Sequence, residues 1–206
     1  MNKEEKFVIT ISRQFGTGGH EIGAELARRL DVKLLDKQIL NEVAKRFCVV
    51  EDAVEKIEAR NPLWRDDFTQ FYRSYMAGAE YNGQEYDQTS RKLFEAQAEV
   101  IRRIASEESC VIVGRCGFHI FRNHPNALKL FVHADDACRK RRLAEKFSIS
   151  EQDAAAMLVD NDFSRELYTK TFTGSDWQDA RNYDISLNVA HFGIHGAVDF
   201  LMNVIG

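Results

Sequence analysis

The chain has 206 residues, 44% of them hydrophobic and 29% charged, within the range of ordinary globular proteins. Its 28 basic and 32 acidic side chains leave a net charge of −4, so no overall basic field is available to hold nucleic acid. No uninterrupted apolar stretch is long enough to span a bilayer, which argues against a membrane partner.

Met1 to Lys6 lead directly into an apolar run and leave no room for a signal peptide, so a cytoplasmic location is expected. That run, Phe7-Val8-Ile9-Thr10-Ile11, is β-branched and reads as a buried strand. Ser12 to Gly19 form a glycine-rich turn, and His20 to Leu30 have helical spacing, with Ile22, Gly23, Leu26, Ala27 and Leu30 on one face. A strand, a glycine turn and a helix N-terminus in that order make a phosphate site, because unpaired N–H groups and the helix dipole both face the ligand. The expected phosphate-binding residues are Gly16, Thr17, Gly18, Gly19 and His20.

The turn departs from the usual P-loop, G-x-x-x-x-G-K-[ST]. With Gly16-Thr17-Gly18 laid on its last glycines, Arg13 stands at the first glycine, Gly19 at the lysine and His20 at the Ser/Thr. The backbone cradle survives, while the ammonium and the magnesium-binding hydroxyl do not. Two other readings stay open. Gly16-x-Gly18, with Asp36 about twenty residues on, is a partial dinucleotide fingerprint, although Glu21 follows where a third glycine belongs. The turn can also be structural and bind nothing.

Val32 to Leu35 form a short second strand ending at Asp36. Ile39, Leu40, Val43, Ala44 and Phe47 mark a helix, and a second helical pattern carries Val54 and Ile57. From Asn61 to Ser90 aromatic residues become dense, among them Trp64, Phe68, Tyr72 and Tyr81. Interleaved with Arg65, Arg73 and Arg91, they suit either base stacking or a helical insert with its own small core. A strong helix through Phe94, Val100, Ile101 and Ile104 feeds the apolar strand Cys110 to Gly114, which stops at Arg115. Ligands of open α/β sheets gather outside the carboxyl ends of strands, so Arg115 stands where an anion binds.

Leu128 to His133 are the next strand, and Asp135 or Asp136 can cap the helix carrying Arg139, Lys140, Arg141 and Arg142. Arg139 and Arg142 are three apart and share a face, so their guanidiniums can converge on one phosphate cluster. Ser150 opens a helix that becomes polar nearly all round from Asp160 to Lys170, as expected of one that projects from the body or faces a ligand. Ile185 to Val189 are the last strand and Ile194 to Val204 the closing helix. His191 and His195 are a weak metal pair because Gly193 interrupts regular helix between them, so no metal ligand is assigned. Cys48, Cys110, Cys116 and Cys138 are scattered without a C-x-x-C pair, so reduced thiols are expected. Strands at 7–11, 32–35, 110–114, 128–133 and 185–189 alternate with helices, which predicts a doubly wound, three-layer α/β/α parallel sheet.

In this order the segments resemble, end to end, the cytidylate kinase-like branch of the P-loop nucleoside monophosphate kinases. Ile11 to Gly19 look like that branch's variant phosphate loop, and Leu35-Asp36 like the strand end that opens a monophosphate-binding insert, here about residues 37–92. Val113-Gly114-Arg115 is similar to the family's acceptor-holding Gly-Arg, and Arg139 to Arg142 to the helix entering a lid at about 145–180. Asp162-x-x-Arg165 looks like the lid motif, and Tyr183-Asp184 through Asn188 like the final strand. The resemblance implies a single P-loop kinase-like domain that transfers the γ-phosphoryl group of ATP, with Mg2+, to CMP, dCMP or a similar small acceptor.

On that reading Arg139, Arg142 and Arg165 neutralise the transferring group. Arg115 and Asp36 serve the acceptor, while Asp162 steers its base or orients Arg165. The missing lysine needs a substitute, and Arg13, ahead of Lys37, is the cation expected to supply it. A nucleotide-binding protein without turnover is the non-enzyme alternative. A nicotinamide-dependent oxidoreductase is a third, and it leaves Arg115 and the lid arginines without a role.

Overall fold

The computed structural model describes residues 1–36 and 83–206. Lys37, the helices expected after Asp36 and the aromatic-rich stretch up to residue 82 lie outside the described residues. Five strands form one sheet: β1 (Val8–Arg13), β2 (Lys33–Leu35), β3 (Cys110–Val113), β4 (Ala127–His133) and β5 (Ile185–Asn188). Every pairing is parallel and the order is β2-β3-β1-β4-β5. The expected α/β class and all five strands are present. β1 runs on to Arg13, past the apolar run, because Arg13 pairs in register with Val132 of β4.

β1 and β3 bury both faces, which is why they read as unbroken apolar runs rather than as alternation. Phe7, just before β1, and Ile9 and Ile11 within it turn to one side. There they pack with Ile22 and Leu26 of α1 (Gly19–Leu30) and with Val198 and Leu201 of α6 (Val189–Ile205). Val8 turns to the other side, where Leu35, Ile112 and Phe121 meet Val100 and Ile101 of α2 (Gly83–Glu107). Helices on both faces give the three layers predicted. α2 starts at Gly83, so the insert boundary expected near residue 92 falls inside one continuous helix.

Two further helices follow the sheet's central strands. α4 (Asp136–Phe147) is capped by Asp135, whose carboxylate accepts from the Cys138 N–H at 2.8 Å. α5 (Glu151–Thr173) is capped by Ser150, whose hydroxyl accepts from the Asp153 N–H at 3.1 Å. The polar stretch of α5 does not project from the body. It buries Asn161, Ser164, Arg165, Tyr168 and Thr169 against the molecule. A one-turn helix, α3 (Gly117–Ile120), lies beneath β1, where Gly117 leaves room for Thr10. α6 is kinked at Gly193, whose φ of 63° is left-handed, so His191 and His195 are not one turn apart on a regular helix.

Candidate active site

The register of the sheet brings the ends of β1 and β3 together, with the Gly114 N–H donating to the Ile11 carbonyl at 2.9 Å. From there β1 leaves into a tightly anchored loop. The Gln14 N–H donates to the Val132 carbonyl at 3.0 Å, and its side-chain oxygen accepts from the Ala134 N–H at 3.2 Å. Thr17 turns its hydroxyl inward onto the Gln14 carbonyl at 2.8 Å and is 2% exposed, so that hydroxyl braces the loop and is not placed for a metal. Gly18 is the N-cap of α1 with φ 79° and no side-chain cap, which leaves the helix's first N–H groups to a ligand or solvent. Gly16, Gly18, Gly19 and His20 line an open cavity of about 160 Å³. That is room for phosphate groups rather than for a whole nucleotide.

Arg13 and Gly19 share one space. A Cβ on Gly19 would lie 2.7 Å from both Cβ and Cγ of Arg13, closer than real atoms approach. Residue 19 is therefore glycine because the Arg13 stem already fills the place where a lysine side chain would start. The stem then carries the guanidinium across to β3, where a Cβ on Gly114 would collide with Nη1 of Arg13. Gly114 is glycine for that reason and for its φ of 83°.

Arg115 follows in the left-handed region, with φ 54°, and is 9% exposed. It lines a second, smaller cavity with Ser12, Arg13, Cys116, Arg165 and Thr169. Arg13 and Arg165 thus border both cavities. Burial pushes the Cys116 thiol up to about 12, beyond the modest opposing effect of a Thr169 hydrogen bond and the Arg115 charge, so it stays protonated at neutral pH.

The remaining arginines do not converge as their spacing suggests. Arg139, 5% exposed, points inward: Nη1 donates to Asp162 Oδ2 at 2.5 Å and to the Phe15 carbonyl at 3.2 Å, and Nη2 to Asp136 at 2.6 Å. Arg142 instead turns to the loop cavity and donates to Glu21 at 2.9 Å. Asp162 sits under the loop: its Oδ1 accepts from the Phe15 N–H at 2.7 Å and lies 3.5 Å from Arg165 Nη1. Arg165, 4% exposed, donates to the Arg13 carbonyl at 3.3 Å and lies 5.2 Å from the centre of the Phe15 ring. Asp162 therefore contacts the loop and two buried guanidiniums, those of Arg139 and Arg165. Two buried cations that share the Asp162 carboxylate and donate to the Phe15 and Arg13 carbonyls explain why this stretch of α5 is polar yet covered.

Asp36 closes the edge of the site by pairing with His20 Nε2 at 3.1 Å. Among the described residues no three His, Cys, Asp or Glu side chains are grouped to hold a metal ion. Asp36 is thereby held beside His20, which occupies the vacated Ser/Thr position, and a carboxylate there suits a magnesium ion that arrives on nucleotide phosphates and keeps most of its waters. Sequence reasoning missed Glu21 and Lys146. Lys146 lies four residues after Arg142 on α4, and that spacing was the signal available.

The cytidylate kinase-like family model matches residues 8–191. The chain belongs to the cytidylate kinase-like family. It is 22% identical over 198 residues to a cytidylate kinase of Sulfolobus acidocaldarius, covering 96% of this chain and 93% of that one. Among solved structures, an uncharacterized protein from Eubacterium ventriosum superposes with a TM-score of 0.72 at 28% identity, covering 98% of each chain. A shikimate kinase from Bacteroides thetaiotaomicron gives 0.50 at 13% identity over 97% of this chain and 98% of that one, a likeness of fold alone. Family membership agrees with the sheet, in which β1 lies between β3 and β4. The dinucleotide-binding order places β1 beside β2, so the partial fingerprint at Gly16 and Asp36 does not carry that fold with it.

Proposed function

We propose that the chain transfers the γ-phosphoryl group of ATP to CMP, dCMP or a similar small acceptor. The observation that carries this reading is the bordering of two cavities by one pair of guanidiniums. The loop cavity offers a helix N-terminus to donor phosphates, the Arg115 cavity offers a buried cation to an acceptor, and Arg13 and Arg165 stand between them. A phosphoryl group in flight carries its charge on peripheral oxygens, so cations fixed between donor and acceptor stabilise it without forming a bond to it. A monophosphate acceptor supplies its own anionic oxygen as nucleophile.

In this reading the N–H groups of Gly16 to His20 hold the donor, Arg142 neutralises its outer charge, and Arg115 orients the acceptor. Arg139 and Asp162 keep the loop and Arg165 in place. Magnesium bound to the nucleotide supplies further charge neutralisation at the phosphates. Asp36 is the carboxylate at hand to hold it.

Release of ADP, measured by a coupled assay with a panel of nucleoside monophosphates, tests the proposal. Turnover with a cytidine nucleotide above the others supports it. The absence of a lysine at Gly19 favours a second reading, nucleotide binding without turnover. Binding of ATP and CMP with no ADP released from any acceptor would decide for it.

A further inference from the structure

Glu21 is the third residue of α1 and borders the loop cavity. One of its oxygens, Oε1, accepts from two cations of α4, Arg142 Nη2 at 2.9 Å and Lys146 Nζ at 2.8 Å. The carboxylate also takes a hydrogen bond from its own backbone N–H, a donor of the helix's first turn. Burial alone would raise its pKa, yet the Lys146 bond, that N–H and the two cationic charges together hold it down to about 2. Two cations and a helix N-terminus around a single negative charge leave a surplus of positive potential. These are the donors a phosphate group would use, gathered on a carboxylate that carries half the charge or less.

We propose that the Glu21 carboxylate is a built-in stand-in for a phosphate group, and that donor phosphate binds by drawing Arg142 and Lys146 from Glu21 onto itself. The inference rests on the reading of the loop cavity as the donor phosphate site. Glu21 keeps the two α4 cations gathered at the cavity, where they would otherwise repel each other and swing into solvent. The same carboxylate repels the arriving anion and competes for its partners. Affinity for phosphate is therefore set below what the cations alone would give. That moderates binding of nucleotide and of the product left in the donor site.

The test is calorimetric titration of the full chain with inorganic pyrophosphate and with ATP at fixed ionic strength. Glu21→Gln removes the charge and keeps the shape, and should tighten pyrophosphate binding about tenfold or more, the scale of one close charge relieved in a half-buried site. Glu25→Gln is the control: it neutralises a carboxylate one turn along the same helix that pairs with Arg28 and Arg29, and should change affinity by less than about twofold. Equal or weaker binding by Glu21→Gln, with the parent still binding, overturns the inference and leaves the phosphate site standing. If the parent binds neither pyrophosphate nor ATP, the phosphate site itself falls and the inference with it. A crystal structure of the parent with pyrophosphate gives a second readout that needs no variant. The Arg142–Glu21 contact of 2.9 Å should be replaced by an Arg142–phosphate contact, and its persistence beside bound pyrophosphate would refute the exchange.

Discussion

Restoring the missing lysine should fail unless Arg13 is removed at the same time. In Gly19→Lys the new Cβ would sit 2.7 Å from Arg13 Cβ and Cγ, and the first of these is fixed to the backbone of β1. Relief needs the end of the central strand to shift, and overpacking of this kind costs about 1–3 kcal/mol. Arg13→Ala does not make room, because alanine keeps the offending Cβ. Arg13→Gly does, and it also recreates the first glycine of the ordinary P-loop motif.

Gly19→Lys alone should therefore lower the midpoint of urea unfolding, whereas Arg13→Gly combined with Gly19→Lys should recover most of that loss. Turnover should follow the same logic. Arg13→Gly alone should drop kcat by about a hundredfold or more, the scale for losing one preorganised electrostatic partner, and the double variant should regain part of it. Unfolding curves and steady-state ADP release read both effects. A Gly19→Lys protein as stable as the parent would refute the shared space. A double variant as inactive as Arg13→Gly would refute the equivalence of the two cations.

Arg115→Ala should weaken monophosphate binding by about 1.5–3 kcal/mol while leaving ATP binding nearly unchanged, since of the two cavities described it borders the smaller; equal loss of both in titrations would contradict that division. Ile22→Ala, at a fully buried position between α1 and the sheet, should destabilise by about 2–5 kcal/mol in denaturant unfolding, and a loss well under 1 would refute its place in the core. Glu21 is held at about 2 against an ordinary 4.5, so its contribution to stability is complete above pH 4.5 and is lost as pH falls towards 2. Thermal scans of Glu21→Gln should accordingly show a shallower fall across that window than the parent, and parallel curves would argue against the depressed value.

The sheet was legible because β1 and β3 are buried on both sides, so β-branched runs such as Val8 to Ile11 and Cys110 to Val113 stand out from any helical period. The glycine turn was legible because few residues tolerate the φ of Gly18 and the crowding at Gly19 and Gly114. Partners of charged side chains were not. Helical spacing places Arg139 and Arg142 on one face but says nothing of what faces them, and Asp162 from another helix drew one inward while Glu21 drew the other to the cavity. The polar run of α5 was open to two readings for the same reason. A buried ion network and a solvated face have identical composition, and only the packing partner distinguishes them.

Because β1 lies between β3 and β4, its hydrogen-bonding neighbours are more than a hundred residues away in the chain: Val8 is in register with Cys110 on one side and Ala127 on the other. During synthesis the glycine turn is therefore made well before the strands that hold it. Until β3 and β4 emerge, β1 is an apolar strand with both edges open, the kind of segment that pairs with other chains. Closing such long loops before any contact rewards them makes folding slow relative to a helical bundle of this size. Nascent chains stalled short of residue 133 would lack the β4 neighbour that orders the turn. They should depend on chaperones in a way that the finished protein does not.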